Sequence, residues 1–363
     1  MASLLTIVSL KLRRQYRILT LGPVLLLTVL SLLSVHYIVW PIGANSIFAS
    51  LVVFYLPYSV KLLVLDDLPV NPEHCAHSWS FTDCYRVWNN PQGLQVRLSP
   101  FIKSAPCSSS ARAIFAAKSI MEVAALWTFD SFVFQNMLAR VFSHVSPRDF
   151  APEMELFTWR RGLHMSVSQL AVRATVSMQW IWTAYVLMQV GHTTLGAFFV
   201  SIGYDEPEEW TQLYGSLRNA TSVRGFWGKF WHRITVPTYA FYSQIICRQG
   251  LGIDAGSGIE KTMVPMLIFT ISGLMHSLVG WSLGDAALSR DLLFFFVNFL
   301  AAALETIIFK TASFKASRDR VPGALRTIIG FCWVFTFFFH VAPLWMYPKI
   351  HYAFIKAGIR ETL

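Results

Sequence analysis

Long apolar runs alternate along this chain with polar connections rich in aromatic residues. Residues 18–40 are almost wholly apolar, and a helix of about 20 such residues spans a bilayer. Comparable runs lie at about 46–65, 119–137, 262–282, 290–309 and 326–347. Residues 166–201 form a longer, mixed run that reads either as one tilted span or as a broken pair. The pattern predicts an all-α integral membrane protein with about seven to eight transmembrane helices around an internal tunnel. A single domain is expected over residues 1–363.

The connections set the expected orientation. A basic patch at 11–17, K-L-R-R-Q-Y-R, precedes the first apolar run, which places the N-terminus in the cytosol. That run is too long for a signal peptide and has no small-residue cleavage site, so it reads as a retained span. If 166–201 crosses once, the connections 66–117, 202–260 and 310–326 share the cytosolic side. The last of these carries Lys310, Lys315, Arg318, Arg320 and Arg326, in keeping with the positive-inside bias. The connection 66–117 carries W-N-N-P-Q-G (Trp88–Gly93) and A-P-C-S-S-S. An amphipathic aromatic section is expected near 234–247.

Composition supports the membrane reading. The 363 residues are 54% hydrophobic and only 14% charged, against roughly 25% charged in soluble domains, and the mean hydropathy is +0.47. The formal net charge of +10 is accounted for by cytosolic loops rather than by a nucleic-acid partner. Five cysteines without regular spacing describe no disulfide framework. His74, Cys75, His77 and Cys84 match no common zinc pattern and read as ordinary loop residues, so no metal is expected.

Charged or ionisable side chains at membrane depth are costly and mark candidate sites. Glu122 and Asp130 in the run 119–137 must face protein or water. His276 lies in I-F-T-I-S-G-L-M-H-S-L-V-G-W. On a helix its neighbours at three and four positions are Ser272, Gly273, Val279 and Gly280, mostly small, which suggests a narrow groove. Apolar surroundings favour a neutral imidazole, which accepts a proton from an attacking hydroxyl. A structural histidine bonded to a helix carbonyl fits the residues equally well. His192 and His340 read as structural, and His36 sits near a membrane interface.

The polar stretch Pro207–Arg233 reads P-E-E-W-T-Q-L-Y-G-S-L-R-N-A-T-S-V-R-G-F-W-G-K-F-W-H-R. No acid occurs from Trp210 to Ile253, while Arg218, Arg224, Lys229, Arg233 and Arg248 fall in that window. Such cations suit the phosphates of coenzyme A, although the positive-inside bias alone also supplies them. Trp227 and Trp231, four apart, share a helix face. They read as an interface anchor or as a tunnel wall, the anchor preferred. Asn219-Ala-Thr is a formal glycosylation sequon that a cytosolic loop leaves unused. The chain has no G-x-S-x-G elbow, phosphate-binding Walker loop or dinucleotide fingerprint.

Two linked motifs, Ser222–His232 (S-V-R-G-F-W-G-K-F-W-H) and the intramembrane S-G-x-x-H of Ser272–His276, resemble the wax-synthase-like branch of the membrane-bound O-acyltransferases. The likeness covers about residues 200–285. His232 stands where the sterol- and diacylglycerol-acylating branches carry Asn, Lys229-Phe230 replaces the more usual Arg-Arg, and Ser277 follows the histidine where an acid is often found. The resemblance implies an acyl-CoA-dependent O-acyltransferase of the endoplasmic reticulum. It points to the fungal members that acetylate terpenoid and meroterpenoid hydroxyls. It implies His276 as general base and His232 as the group that positions the thioester or polarises its carbonyl. Arg224, Trp227, Lys229, Trp231, Arg233, Ser272 and Gly273 would line the substrates. The partners implied are acetyl-CoA, as a co-substrate rather than a resident cofactor, a lipophilic alcohol and membrane lipid. A wax ester synthase acting on long-chain alcohols and a transporter of a lipophilic molecule are the alternatives. A terpene cyclase would use Glu122 and Asp130 but has no use for the Ser222–His232 pattern.

Overall fold

The computed structural model describes residues 1–39, 43–65, 80–92, 108–158, 162, 164–285, 287–312 and 320–358. Among the described residues no strand occurs. The principal helices are α1 (Ala2–Ser9), α2 (Leu21–Leu33), α3 (Ala44–Val60), α4 (Phe81–Trp88), α5 (Ser109–Phe129), α6 (Gln135–Val141), α7 (Val167–Ser201), α8 (Val236–Ile245), α9 (Gly258–Ser282), α10 (Leu288–Lys310) and α11 (Gly323–Lys356). Among the described residues, five stretches are long and apolar enough to cross a membrane: Gln15–Leu33, Ala44–Leu65, Gly258–Ser282, Leu288–Lys310 and Gly323–Lys356. These account for five of the expected spans. The expected spans 119–137 and 166–201 are also helical, but they carry ionisable and polar side chains such as Glu122, Asp130, Arg173 and Gln189.

Residues 166–201 form one helix, not a broken pair. The 35 residues of α7 contain no proline to break the hydrogen-bond ladder. A capping box, in which Ser166 and Gln169 cap each other's backbone amides, starts it. At 1.5 Å per residue it runs about 50 Å. The expected amphipathic section near 234–247 is α8 followed by a π turn at Ile246–Gly250.

The chain divides into two compact units. The first comprises residues 1–104 and 233–296, and the second residues 105–232 and 297–363; α10 starts in the first and ends in the second. In the first unit α2 and α9 pack on α3, α8 packs on α9, and α1 contacts α2 and α4. One apolar cluster joins Ile7, Leu10, Tyr58, Leu62, Cys84 and Val87. Another joins Leu32, Val35, Ala49, Val53 and Val279. Pro57 lies inside α3, and its carbonyl accepts the Tyr242 hydroxyl of α8 at 2.7 Å, tying the two helices together.

In the second unit α7 packs on α5, α6 and α11. Apolar packing has little driving force against lipid, so polar contacts and close fit carry more of the specificity. Gln189 of α7 donates to Glu122 of α5 at 2.8 Å, and the Trp182 indole donates to Asp130 at 2.8 Å. Each acid thus has a protein partner, although Glu122 remains exposed and Asp130 only half-buried. Arg173 is fully buried. It donates to the carbonyls of Met154, Glu155 and Phe339 at 2.7, 2.9 and 3.0 Å, with its guanidinium near the rings of Phe157, Phe339 and Tyr347. Three carbonyls and three aromatic faces thus compensate one buried cation.

Candidate active site

In the second unit, the chain after α7 makes a series of short turns, each fixed by a specific contact. The Trp210 ring lies against Gly196 of α7, where a Cβ would come within 3.0 Å of it. Gly215 donates its backbone N–H to the Phe230 carbonyl at 2.9 Å, and a Cβ on Gly215 would run into the Lys229 carbonyl oxygen. The stretch is thereby closed into a loop whose ends touch. Ser222 then caps a single helical turn, Val223–Gly225, accepting the Gly225 N–H at 2.9 Å. One π turn follows, Phe226–Phe230, and the backbone is extended at Trp231 (φ −63°, ψ 150°). π turns are uncommon and recur at functional sites.

This geometry corrects the reading of Trp227 and Trp231 as residues on one α-helical face. The π turn and the extended residue after it change the spacing. The two rings still touch, centroids 5.8 Å apart at 68°, but across a turn rather than along a face. Trp231 is buried, and Trp227 stacks on Trp180 at 6.1 Å while its indole N–H donates to Asn298 at 2.7 Å. Trp180 of α7 also meets Phe226, Trp231, Phe338 and Trp345, with centroids 5.3–6.1 Å away.

Arg224 and Lys229 are exposed on this segment, and so is Arg233, the first residue of the other unit's second stretch. His232 ends the segment half-buried, with the Tyr214 ring at 5.8 Å and 88° and the Trp231 ring at 5.4 Å. Its Nδ1 is enclosed and has no hydrogen-bond partner among the described residues. Burial among aromatic rings strips hydration from the charged form and pushes its pKa down from 6.5 to about 4. The ring is therefore neutral at physiological pH and offers a lone pair or an N–H rather than a positive charge.

In the first unit, His276 lies on α9, half-buried. It sits between Phe54 (5.1 Å, edge-on) and Phe295 (4.9 Å, stacked). The expected narrow groove lined by small residues is not what surrounds the imidazole. The small positions receive the chain that follows α9: a Cβ on Gly273 would meet Leu292 Cα at 3.1 Å, and one on Gly280 would meet Asp285 Oδ2 at 3.2 Å. Ser277 reinforces that contact by donating to the Gly273 carbonyl (3.0 Å) or the Leu288 carbonyl (2.8 Å). Ser272 donates to the Ile268 carbonyl of its own helix at 2.8 Å.

The second unit thus gathers Arg224, Trp227, Lys229, Trp231 and His232, and the first gathers Ser272, Gly273 and His276. His192 bonds the Thr211 carbonyl and His340 the Thr336 carbonyl, both at 2.8 Å, as structural histidines do. His74, Cys75, His77, Gly93, Cys107, Lys315 and Arg318 lie outside the described residues. Among the described residues no group of three or more His, Cys, Asp or Glu side chains is placed to hold a metal.

Sequence reasoning passed over two residues of α10. Asn298 and Glu305 are buried. The Glu305 carboxylate accepts the backbone N–H groups of Val223 and Arg224, both at 2.8 Å, and the Trp333 indole N–H at 2.6 Å. Their signal was an amide and an acid seven apart in an otherwise apolar run.

Residues 210–297 match the membrane bound O-acyl transferase family. The chain is 27% identical over 219 residues to acetyltransferase nanB of Aspergillus nanangensis, covering 57% of this chain and 51% of that protein. It is 25% identical over 225 residues to acetyltransferase atnC of an Arthrinium species (60% and 51%). With acetyltransferase TRI7 of Fusarium sporotrichioides it shares 26% over 176 residues (46% and 40%). The matches span about half the length of these relatives. No solved structure matches.

Proposed function

We propose that this chain, whose residues 210–297 match the membrane-bound O-acyl transferase family, is an acyl-CoA-dependent O-acetyltransferase acting on a hydroxyl of a lipophilic terpenoid or meroterpenoid. The observation that carries the reading is the Ser222–His232 segment. It joins exposed Arg224 and Lys229 to a neutral, half-buried His232 through an aromatic π turn. The relatives named as acetyltransferases support acetyl as the group transferred.

In this proposal the phosphates of acetyl-CoA meet Arg224, Lys229 and Arg233 from the cytosolic side. The alcohol arrives through the lipid. His276 takes the hydroxyl proton as general base, and the oxygen attacks the thioester carbonyl carbon. His232 positions the thioester or donates a hydrogen bond to its carbonyl oxygen. The carbon–sulfur bond breaks, and the CoA thiolate recovers the proton from His276. The products are an acetyl ester and CoA-SH, and the thioester needs no covalent enzyme intermediate. The proposed setting is the endoplasmic reticulum membrane with the N-terminus in the cytosol.

The test supplies microsomes containing the chain with radiolabelled acetyl-CoA or palmitoyl-CoA, hydroxylated terpenoids and a long-chain alcohol. Acetyl ester on a terpenoid is expected. Palmitoyl ester on the long alcohol would move the function to wax ester synthesis. Flux of a lipophilic solute with no ester from any pair would replace the enzyme with a transporter.

A further inference from the structure

Glu305 and Asn298 stand out because they interrupt the mainly apolar stretch between Asp291 and Lys310 of α10, and a carboxylate and an amide buried there require specific partners. Seven residues separate them, two turns of helix, so both lie on one face of α10. The three N–H groups on Glu305 come from two backbone amides and one indole, none of them a cation. The two amides belong to Val223 and Arg224, the first residues of the helical turn capped by Ser222. Asn298 holds Trp227, three residues further on. On the same stretch, Gly330 of α11 admits Thr221 so closely that a Cβ there would lie 2.6 Å from Thr221 Cβ and from its carbonyl oxygen.

We propose that Glu305, with Asn298, is a positioning residue for the acyl donor: it fixes the backbone of Arg224 and so aims the exposed cations of the segment at the donor's phosphates. The carboxylate takes up both backbone N–H groups at the start of this turn. Backbone amides are therefore spent on the protein's own acid, and phosphate recognition falls to the side chains of Arg224 and Lys229. Loosening the carboxylate changes donor affinity without touching the acceptor or the base. The inference rests on the acyl-CoA reading above.

The test uses the full chain in detergent and in microsomes. Glu305→Gln keeps the shape but turns an amide –NH2 toward backbone N–H donors. Loss of a charge-assisted hydrogen bond of this kind raises the KM for acetyl-CoA about tenfold, with kcat and the acceptor KM within about twofold. Asn298→Ala removes the acceptor of the Trp227 indole N–H and shifts the donor KM in the same direction. Trp333→Phe removes one of the three donors to the carboxylate and raises the donor KM in the same direction by a smaller factor. A pure brace of the fold gives a different pattern: less folded protein from all three variants, with wild-type donor KM in what remains, which overturns the inference. Failure to recover either Glu305→Gln or Asn298→Ala folded assigns the contacts to the fold and overturns it too. Titration calorimetry with CoA separates the two levels of failure. A wild-type chain that binds no CoA overturns the acyltransferase reading and this inference together. A wild-type chain that binds CoA no more tightly than Glu305→Gln overturns the inference alone.

Discussion

His232 shows how a single residue's surroundings set its chemistry. Its Nδ1 is enclosed without a partner among the described residues, and burial holds its pKa at about 4 against an ordinary 6.5. The unfolded chain takes up a proton at this residue near pH 6.5, whereas the folded chain does not until about pH 4. Folding stability from this group is therefore fully present above pH 6.5. It is lost as pH falls through the window from 6.5 to 4, by about 3 kcal/mol at most. Thermal unfolding of the detergent-solubilised protein across that window should show the loss, and His232→Gln should flatten the slope. An unchanged slope in the variant would place the titration elsewhere. His276 has a different setting: two aromatic rings flank it, and the glycines of its own helix face the chain that follows. Its place on a long helix and its helical neighbours could be read from spacing. The rings beside it come from α3 and α10, about 222 positions before and 19 after, which no local pattern reports.

At the scale of elements, the loop from Gly215 to His232 depends on close backbone approach. A methyl group on Gly215 meets a backbone carbonyl, which cannot yield as a flexible side chain does, while Gly228 in the π turn has open space around its Cβ position. Gly215→Ala should lower esterification at least tenfold by displacing the Lys229–Phe230 backbone. Gly228→Ala should retain activity within about threefold. Equal activity of the two variants, measured per folded molecule, would argue against a fixed loop. The apolar runs made most helices legible, because long hydrophobic stretches and serine caps such as Ser166 and Ser257 are local signals. The π turn was not legible: a spacing of four between Trp227 and Trp231 implies a shared face only if the turn is α-helical. Glu305 was equally hidden, since its contact with Val223 joins residues 82 apart in sequence.

At the scale of the whole molecule, the motif segment belongs to the second unit and His276 to the first. The family match at 210–297 runs from the Trp210 loop to the middle of α10. It includes both histidines. The central claim is that His276 is the base of an acetyl transfer from CoA to an alcohol. The direct measurement is the rate of labelled acetyl ester formation by His276→Ala against wild type, in microsomes matched for folded protein by detergent size-exclusion. The account predicts a fall of about a hundredfold or more with an unchanged elution profile. Near-normal ester formation by the folded variant would contradict it.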